Sequence, residues 1–349
     1  MSLIDLFPAS LGRPVAWQPP PAQPLRGRYR QNDRLASLQR LENVPGTTGP
    51  ESLAIGPDNS LYSGFHDGRI MRFDAQGKLL GTVCHTGGRP LGMRFHPDGD
   101  LLVCDTQLGL LRVTLSGHVT VLVDGIDGQR FGFPDDLDVT PDGRHVYFTD
   151  ASRKWGYESD HLDHIEHGGH GRLLHHDLKT GETRVLMQGL CFANGVTLGP
   201  DDAYVLVTET GSYRVHRYWL QGARAGSSEV FIDNLPGFPD NIRFNGRDRF
   251  WLAIPVKRSP VLDALAPHPQ LRFGLMQVAR FLPLPVSHTA MVLGFDLDGR
   301  LVANLQDHGK DSYHFITQVL EAGDFLYCSS LHQDTLARLP LSLPEHVHG

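Results

Sequence analysis

Apolar residues along this chain fall in short runs closed by tight turns, without the three-and-four spacing of long amphipathic helices. The runs LYSGF (61–65), LLVCD (101–105), VYFTD (146–150), YVLVTE (204–209), FWLAI (250–254) and LYCSS (326–330) mix aliphatic, β-branched and aromatic residues, the composition of buried strands. Each follows a turn: GPDN (56–59), HPDG (96–99), TPDG (140–143), GPDD (199–202), NGRD (245–248) and AGD (322–324). Matching positions Tyr62, Leu102, Tyr147, Val205, Trp251 and Tyr327 stand 40, 45, 58, 46 and 76 residues apart. A repeat of about 40–50 residues holding four strands is a propeller blade. Six units predict an all-β, six-bladed β-propeller. No helical pattern recurs between the strands, so a βα barrel is disfavoured.

The two long intervals are insertions. One, 152–172, falls in the third unit; the other, 255–285, falls in the fifth and predicts a short helix over 270–281. Residues 1–49 are expected to form an extended arm with an outer strand that closes the ring, since closure removes an exposed sheet edge. Residues 50–340 make the propeller and 341–349 a short tail.

Composition narrows the class. The chain has 349 residues with 38 Gly and 24 Pro, a surplus that suits many tight turns. A formal net charge of -7 argues against a nucleic-acid partner. No apolar run reaches the ~18 residues of a membrane span. The N-terminal stretch lacks a basic segment followed by an apolar core, so no signal peptide is expected. Cys84, Cys104, Cys191 and Cys328 are scattered and read as buried thiols of a cytoplasmic protein.

In a propeller the innermost strands crowd a central channel, so polar residues just ahead of the apolar runs matter most. They are Glu51 in GPESLAI, Asp135 and Asp136 in FPDDLDV, Asn194 in FANGVTL, and Asp240 with Asn241 in FPDNIRF. Singly, each reads as a strand cap or turn residue. In register on four blades, they read as an all-oxygen site. Carboxylates gathered without a cation repel, and such donors suit Ca2+, which takes 6–8 oxygens, or another divalent cation.

The runs DDLDVTPDGRHVYFTDAS (135–152), GRLLHHDLKTGETRVLMQGLCFANGVTLGPDDAYVLVTET (171–210) and VHRYWLQGARAGSSEVFIDNLPGFPDNI (215–242) resemble the strictosidine synthase-like proteins. That branch includes the adipocyte plasma membrane-associated proteins, and its superfamily includes the gluconolactonases (senescence-marker lactonases) and paraoxonases. The resemblance implies a central divalent cation, usually calcium, held by Glu51, Asp135, Asn194 and Asp240, with Asn241 as an additional ligand. Asp135 stands where the lactonases and paraoxonases commonly carry Asn. Asp136 is expected to support the turn or to hold a second, more buried ion. Leu91 and Asp105 occupy the places of the paraoxonase histidine pair. Thr317 occupies that of the strictosidine synthase glutamate, with Glu321 too late in register, so an amine–aldehyde condensation is disfavoured.

What remains implies a calcium-dependent hydrolase of a lactone or an aryl or carboxylic ester, in which the metal polarises the carbonyl and Asp240 is the general base. A non-enzymatic scaffold propeller with a structural ion is the alternative. Substrate contacts are expected from Trp155 and Tyr157 as an aromatic wall, and from Arg89 and His288 towards a carboxylate or phenolate. His161, His164, His167 and His170 recur every third residue, with His175 and His176 behind. Gly168, Gly169 and Gly171 break any helix there, so this segment reads as a solvated or lid loop, ahead of a transition-metal site or a pH-responsive element.

Overall fold

A computed structural model describes residues 9–281 and 288–341. Among the described residues, six four-stranded antiparallel sheets follow one another around a ring. Blade 1 runs Leu53–Ile55, Leu61–Gly64, Arg69–Phe73 and Leu79–His85 from the inside out. Blades 2, 3 and 4 repeat this order with inner strands Pro90–Phe95, Pro134–Val139 and Ala193–Leu198. Blade 5 begins at Ile242–Phe244 and blade 6 at Ile316–Ala322. The expected closing strand is Gln39–Arg40. It pairs antiparallel with Ala337–Pro340 as the outermost strand of blade 6.

The second strands are nearly continuous in apolar residues because both of their faces are covered. Successive side chains of a strand point to opposite faces, so Leu101 packs towards blade 1 beside Tyr62 and Ile70, while Leu102 packs towards blade 3 beside Leu137 and Phe148. Six such clusters form, one at each blade-to-blade boundary; Trp251 fills the one between blades 5 and 6, and Leu53 with Tyr327 the one between 6 and 1. The four cysteines are buried and unpaired in disulfides.

Both insertions are partly helical. In the blade 3 insertion, helix α1 spans Asp160–Glu166 and ends at His167, which adopts the left-handed conformation (φ 54°) just ahead of Gly168. The glycines therefore stop a helix and do not prevent one. In the blade 5 insertion, α2 spans Pro260–Leu265 and α3 spans Pro269–Ala279, close to the segment the periodicity indicates. Trp155, Leu162, Ile165, Met276 and Ala279 form a small core that joins α1 to α3. The arm ties down this cap, with Val15 N donating to Glu166 O (2.9 Å) and Trp17 N to Ala266 O (3.2 Å). The tail beyond Leu341 lies outside the described residues.

Candidate metal centre

The site is built where the inner strands begin. In blades 2, 3, 4 and 6 the first residue pairs with the end of the second strand (Pro90 with Asp105, Pro134 with Asp150, Ala193 with Glu209, Ile316 with Ser330), and the register then shifts. The shift leaves Leu91, Asp135, Asn194 and Thr317 at bulged positions, where side chains leave the regular alternation. Glu51 and Asp240 stand two residues ahead of the short inner strands of blades 1 and 5. Neighbouring inner strands approach closely here. A Cβ on Gly92 would lie 2.5 Å from Asp136 Cα, and one on Gly195 would lie 2.5 Å from Asn241 Cα. Only glycine fits at either place.

The second-strand ends carry a device that the sequence displays but its reading passed over. LLVCD, VYFTD and YVLVTE each finish on an acid. Asp105 accepts from Arg89 N (3.0 Å), Asp150 from Phe133 N (2.7 Å) and Glu209 from Cys191 N (3.0 Å). Each carboxylate thus pins the backbone that leads into its own blade's inner strand. Asp105 has this role, with Thr86 Oγ1 donating to its other oxygen at 2.8 Å.

On the upper floor of the channel, Glu51, Asp135, Asn194 and Asp240 are all buried. Asn241 Nδ2 donates to Glu51 Oε1 at 2.5 Å, and an Asn194 side-chain hydrogen bond reaches Asp240. Glu51 Oε2, Asn194 Oδ1 and Asn241 Oδ1 are buried with no hydrogen-bond partner. Buried polar atoms seldom lack partners, and leaving them so costs about 1–3 kcal/mol each. Glu51 is pushed up to about 7, first by burial and then by Asp136, with Arg89 opposing. Asp135 is raised well above the usual range by burial and then by Glu51 and Asp240. Asp240 is raised by burial and then by Glu51.

These residues fit a hard cation. The chain supplies carboxylate and carboxamide oxygens, leaves three of them unpartnered, and surrounds them with repelling charges. Among the described residues, no group of three or more His, Cys, Asp or Glu side chains forms a metal cage unaided. The carboxamides of Asn194 and Asn241 would add their partnerless oxygens to such a donor set.

One residue further along the strands the chemistry changes. Arg243 binds Asp136 bidentately, Nη2 to Oδ1 at 2.5 Å and Nη1 to Oδ2 at 2.6 Å. Val196 N donates to the same carboxylate at 2.8 Å, and Gln318 Oε1 accepts from Arg243 Nη2 at 3.1 Å. Asp136 is thereby satisfied by a built-in cation, so the second buried ion considered from the sequence has a guanidinium in its place. Nothing in the repeat marked Arg243, because its motif, DNIRF, reads as an ordinary amphipathic strand.

Outside the upper floor lies an aromatic collar. Phe133, Phe192 and Phe238 each stand two residues before Asp135, Asn194 and Asp240. Phe133 meets Phe192 edge-on, with ring centroids 5.3 Å apart. Arg89 holds the matching place in blade 2. It is buried, donates to Gly49 O (2.9 Å) and Pro90 O (3.3 Å), and lies over the Tyr157 ring at 5.3 Å. Tyr157 packs with Phe133 and Leu91. Trp155 is spent elsewhere, in the core between α1 and α3, with Nε1 donating to Glu166 Oε2 at 2.5 Å. His288 is exposed and meets His314 at a tilt, with ring centroids 4.6 Å apart, on the blade 6 side. Of the histidine-rich segment, His164 reaches the collar, against Phe192 (4.5 Å) and Phe238 (5.6 Å). His175 and His176 lie on the third strand of blade 3.

Comparison with known proteins matches this architecture. Residues 135–223 match the strictosidine synthase family and residues 27–73 the strictosidine synthase-like N-terminal family. The adipocyte plasma membrane-associated protein of Salmo salar is 36% identical over 91% of this chain and 81% of its own length. A gluconolactonase from Xanthomonas campestris shares the fold at a TM-score of 0.62 and 17% identity, over 88% of this chain and 91% of that one. Regucalcin of Agrobacterium tumefaciens, described as a calcium-binding protein, superposes at 0.57 with 16% identity, over 86% and 90% of the two chains. No helix among the described residues is long and apolar enough to cross a membrane. The chain belongs to the strictosidine synthase-like family that includes the adipocyte plasma membrane-associated proteins.

Proposed function

We propose that the protein is a metal-dependent hydrolase, with calcium as its ion, acting on a lactone or an aryl or carboxylic ester. The carrying observation is the set of buried, unpartnered oxygens of Glu51, Asn194 and Asn241 among three mutually repelling carboxylates. The names of the propellers it resembles, a gluconolactonase and a calcium-binding regucalcin, support the same reading. A divalent ion bound here supplies Lewis-acid polarisation of a carbonyl oxygen.

The chain's own residues do the rest. Glu51, Asp135, Asn194 and Asp240 would hold the ion, with Asn241 as an additional ligand that also fixes the Glu51 carboxylate through its 2.5 Å hydrogen bond. Asp240 is steered by Asn194, which leaves it placed to accept a proton from attacking water as general base. The aromatic collar excludes water around the acyl group and favours flat, apolar substrates over sugar lactones. Thr317, where a condensing enzyme of the resemblance carries Glu, has its hydroxyl committed to Glu51 O at 2.5 Å and offers no acid or base.

The test is turnover of phenyl acetate and a small lactone panel, with and without chelator. Chelator-sensitive hydrolysis is expected, and Asp240→Asn should lower kcat by about 10²–10⁴-fold. Wild-type turnover in metal-loaded Asp240→Asn removes Asp240 as the base. Bound calcium with no turnover of either class would instead make this a scaffold with a structural ion.

A further inference from the structure

Helix α1 is held over the collar by more contacts than a loose flap needs. Glu166 accepts from Arg13 N, Lys154 Nζ and Trp155 Nε1, each at 2.5 Å, and pairs with His170 at 3.1 Å. Ser152 Oγ donates to Asp163 Oδ2 at 2.5 Å, and Arg272 Nη2 donates to the His164 carbonyl at 3.3 Å. These contacts fix which face of the helix looks down. Asp160 and His164 are one turn apart and share a face. Asp160 is near enough to Asp135 to add to its repulsion, and the His164 ring lies on Phe192 and Phe238.

The other histidines of the segment have occupations. His161 Nε2 meets Ala279 O at 3.3 Å, His170 pairs with Glu166, and His167 stacks flat on Trp17 at 4.1 Å. The Nδ1 atoms of His164 and His167 are both buried without a hydrogen-bond partner, but Trp17 covers the His167 ring, whereas it is His164 that lies on the collar. Burial also holds it down to about 4, so the ring is neutral at pH 7. A neutral imidazole carries one N–H donor and one acceptor. Among the described residues no side chain supplies the missing bond, and the rings that His164 touches, Phe192 and Phe238, stand two residues ahead of Asn194 and Asp240.

We propose that His164 is a substrate-contacting, specificity-determining residue, delivered by the lid, which hydrogen-bonds an oxygen of a flat apolar carbonyl compound seated in the phenylalanine collar. The inference rests on the hydrolase reading for its choice of site. It adds that helix α1, pinned by these contacts, is part of the binding surface and carries His164 to it. The ligand class is an aryl ketone or ester whose oxygen lies beside its ring; a plain arene lacks the partner that His164 requires.

The test uses the full chain and needs no turnover. Binding of acetophenone and of ethylbenzene is measured by calorimetry for the wild type, His164→Phe and His164→Gln, with melting curves and calcium titrations as checks on folding. Phe keeps the stacked ring and removes the nitrogen; Gln restores a donor and an acceptor. His164→Phe should weaken acetophenone about tenfold and leave ethylbenzene within twofold, and His164→Gln should recover most of the loss, as one neutral hydrogen bond predicts. Equal acetophenone affinity in the wild type and His164→Phe would overturn the proposal, and so would equal losses for both compounds. Specific binding that depends on His164 but comes with no esterase activity would sink the hydrolase reading and leave this one standing.

Discussion

Two floors of one channel, a single residue apart along the inner strands, treat buried carboxylates in opposite ways. On the lower floor, Asp136 meets the Arg243 guanidinium and the Val196 amide. On the upper floor, Glu51, Asp135 and Asp240 form no ion pair with any described side chain, and unpartnered oxygens remain on Glu51, Asn194 and Asn241. The residues of both floors are buried, so burial does not separate them. The difference is whether the chain supplies the cation. A built-in guanidinium is permanent and fixes geometry; donors left open are available to an exchangeable ion and to chemistry. The lower floor is a structural floor for the upper.

The largest expected effect tests that division. Arg243→Met strands the Asp136 carboxylate and should cost about 3–5 kcal/mol in urea or thermal unfolding, with chelator present or absent. The double variant Arg243→Met with Asp136→Leu should recover most of it, because a buried pair replaced by apolar groups is often neutral. A cost below about 1 kcal/mol for the single change would mean that the two floors are not different in kind.

The second effect belongs to the upper floor. Calcium at a hundred times its Kd should stabilise the wild type by about 2.7 kcal/mol. Glu51→Gln should lose that increment and Asp240→Asn, which keeps a carboxamide oxygen, should reach it only at higher calcium, yet their chelated forms should be at least as stable as chelated wild type, because each removes a repelling charge. Calcium-independent destabilisation in both would make the upper floor structural as well.

Much of this was legible in the sequence, for a physical reason. The blade repeat shows because every second strand is buried on both faces, and the upper-floor residues show because oxygen donors recur at one offset before the strands. Arg243 did not show: a single Arg in IRF is indistinguishable from a solvated strand residue until the ring brings it against Asp136 from two blades away. The collar was overlooked although FGFPDD, CFAN and GFPDN carry it in plain register, since phenylalanine before a strand reads as ordinary core. Trp155 and Tyr157, two residues apart, read as one wall; the fold places Trp155 in the helical core and Tyr157 with Arg89. Contacts made within one repeat can be read from its spacing. Those made by an insertion folding back over the ring cannot.

The smallest effect is a pH dependence confined to the upper floor. Glu51 is raised from an ordinary 4.5 to about 7. Between those values the chelated native state keeps a proton that the unfolded chain has released, so stability falls as pH rises through that window and levels off above it. Asp135 and Asp240, raised as well, act in the same direction. Glu166 and Glu209, both held at about 2, lose their stabilising contribution only as pH falls below about 4.5, outside this range. Asp163 on the lid is raised to about 7 and must be controlled with Asp163→Asn. The buried histidines His164, His167 and His175, held low, act in the opposite direction between pH 5 and pH 7 but are common to the wild type and Glu51→Gln, so the difference between the two proteins in chelator isolates Glu51. Raising pH from 5 to 7 should therefore stabilise Glu51→Gln relative to the wild type by about 1 kcal/mol, since the three acids share the effect. Saturating calcium should remove the Glu51 contribution from the wild-type profile, because bound metal favours the ionised carboxylates that the bare site resists. Parallel profiles for the wild type and Glu51→Gln in chelator would place the titrating group outside the upper floor and would break the contrast between the two.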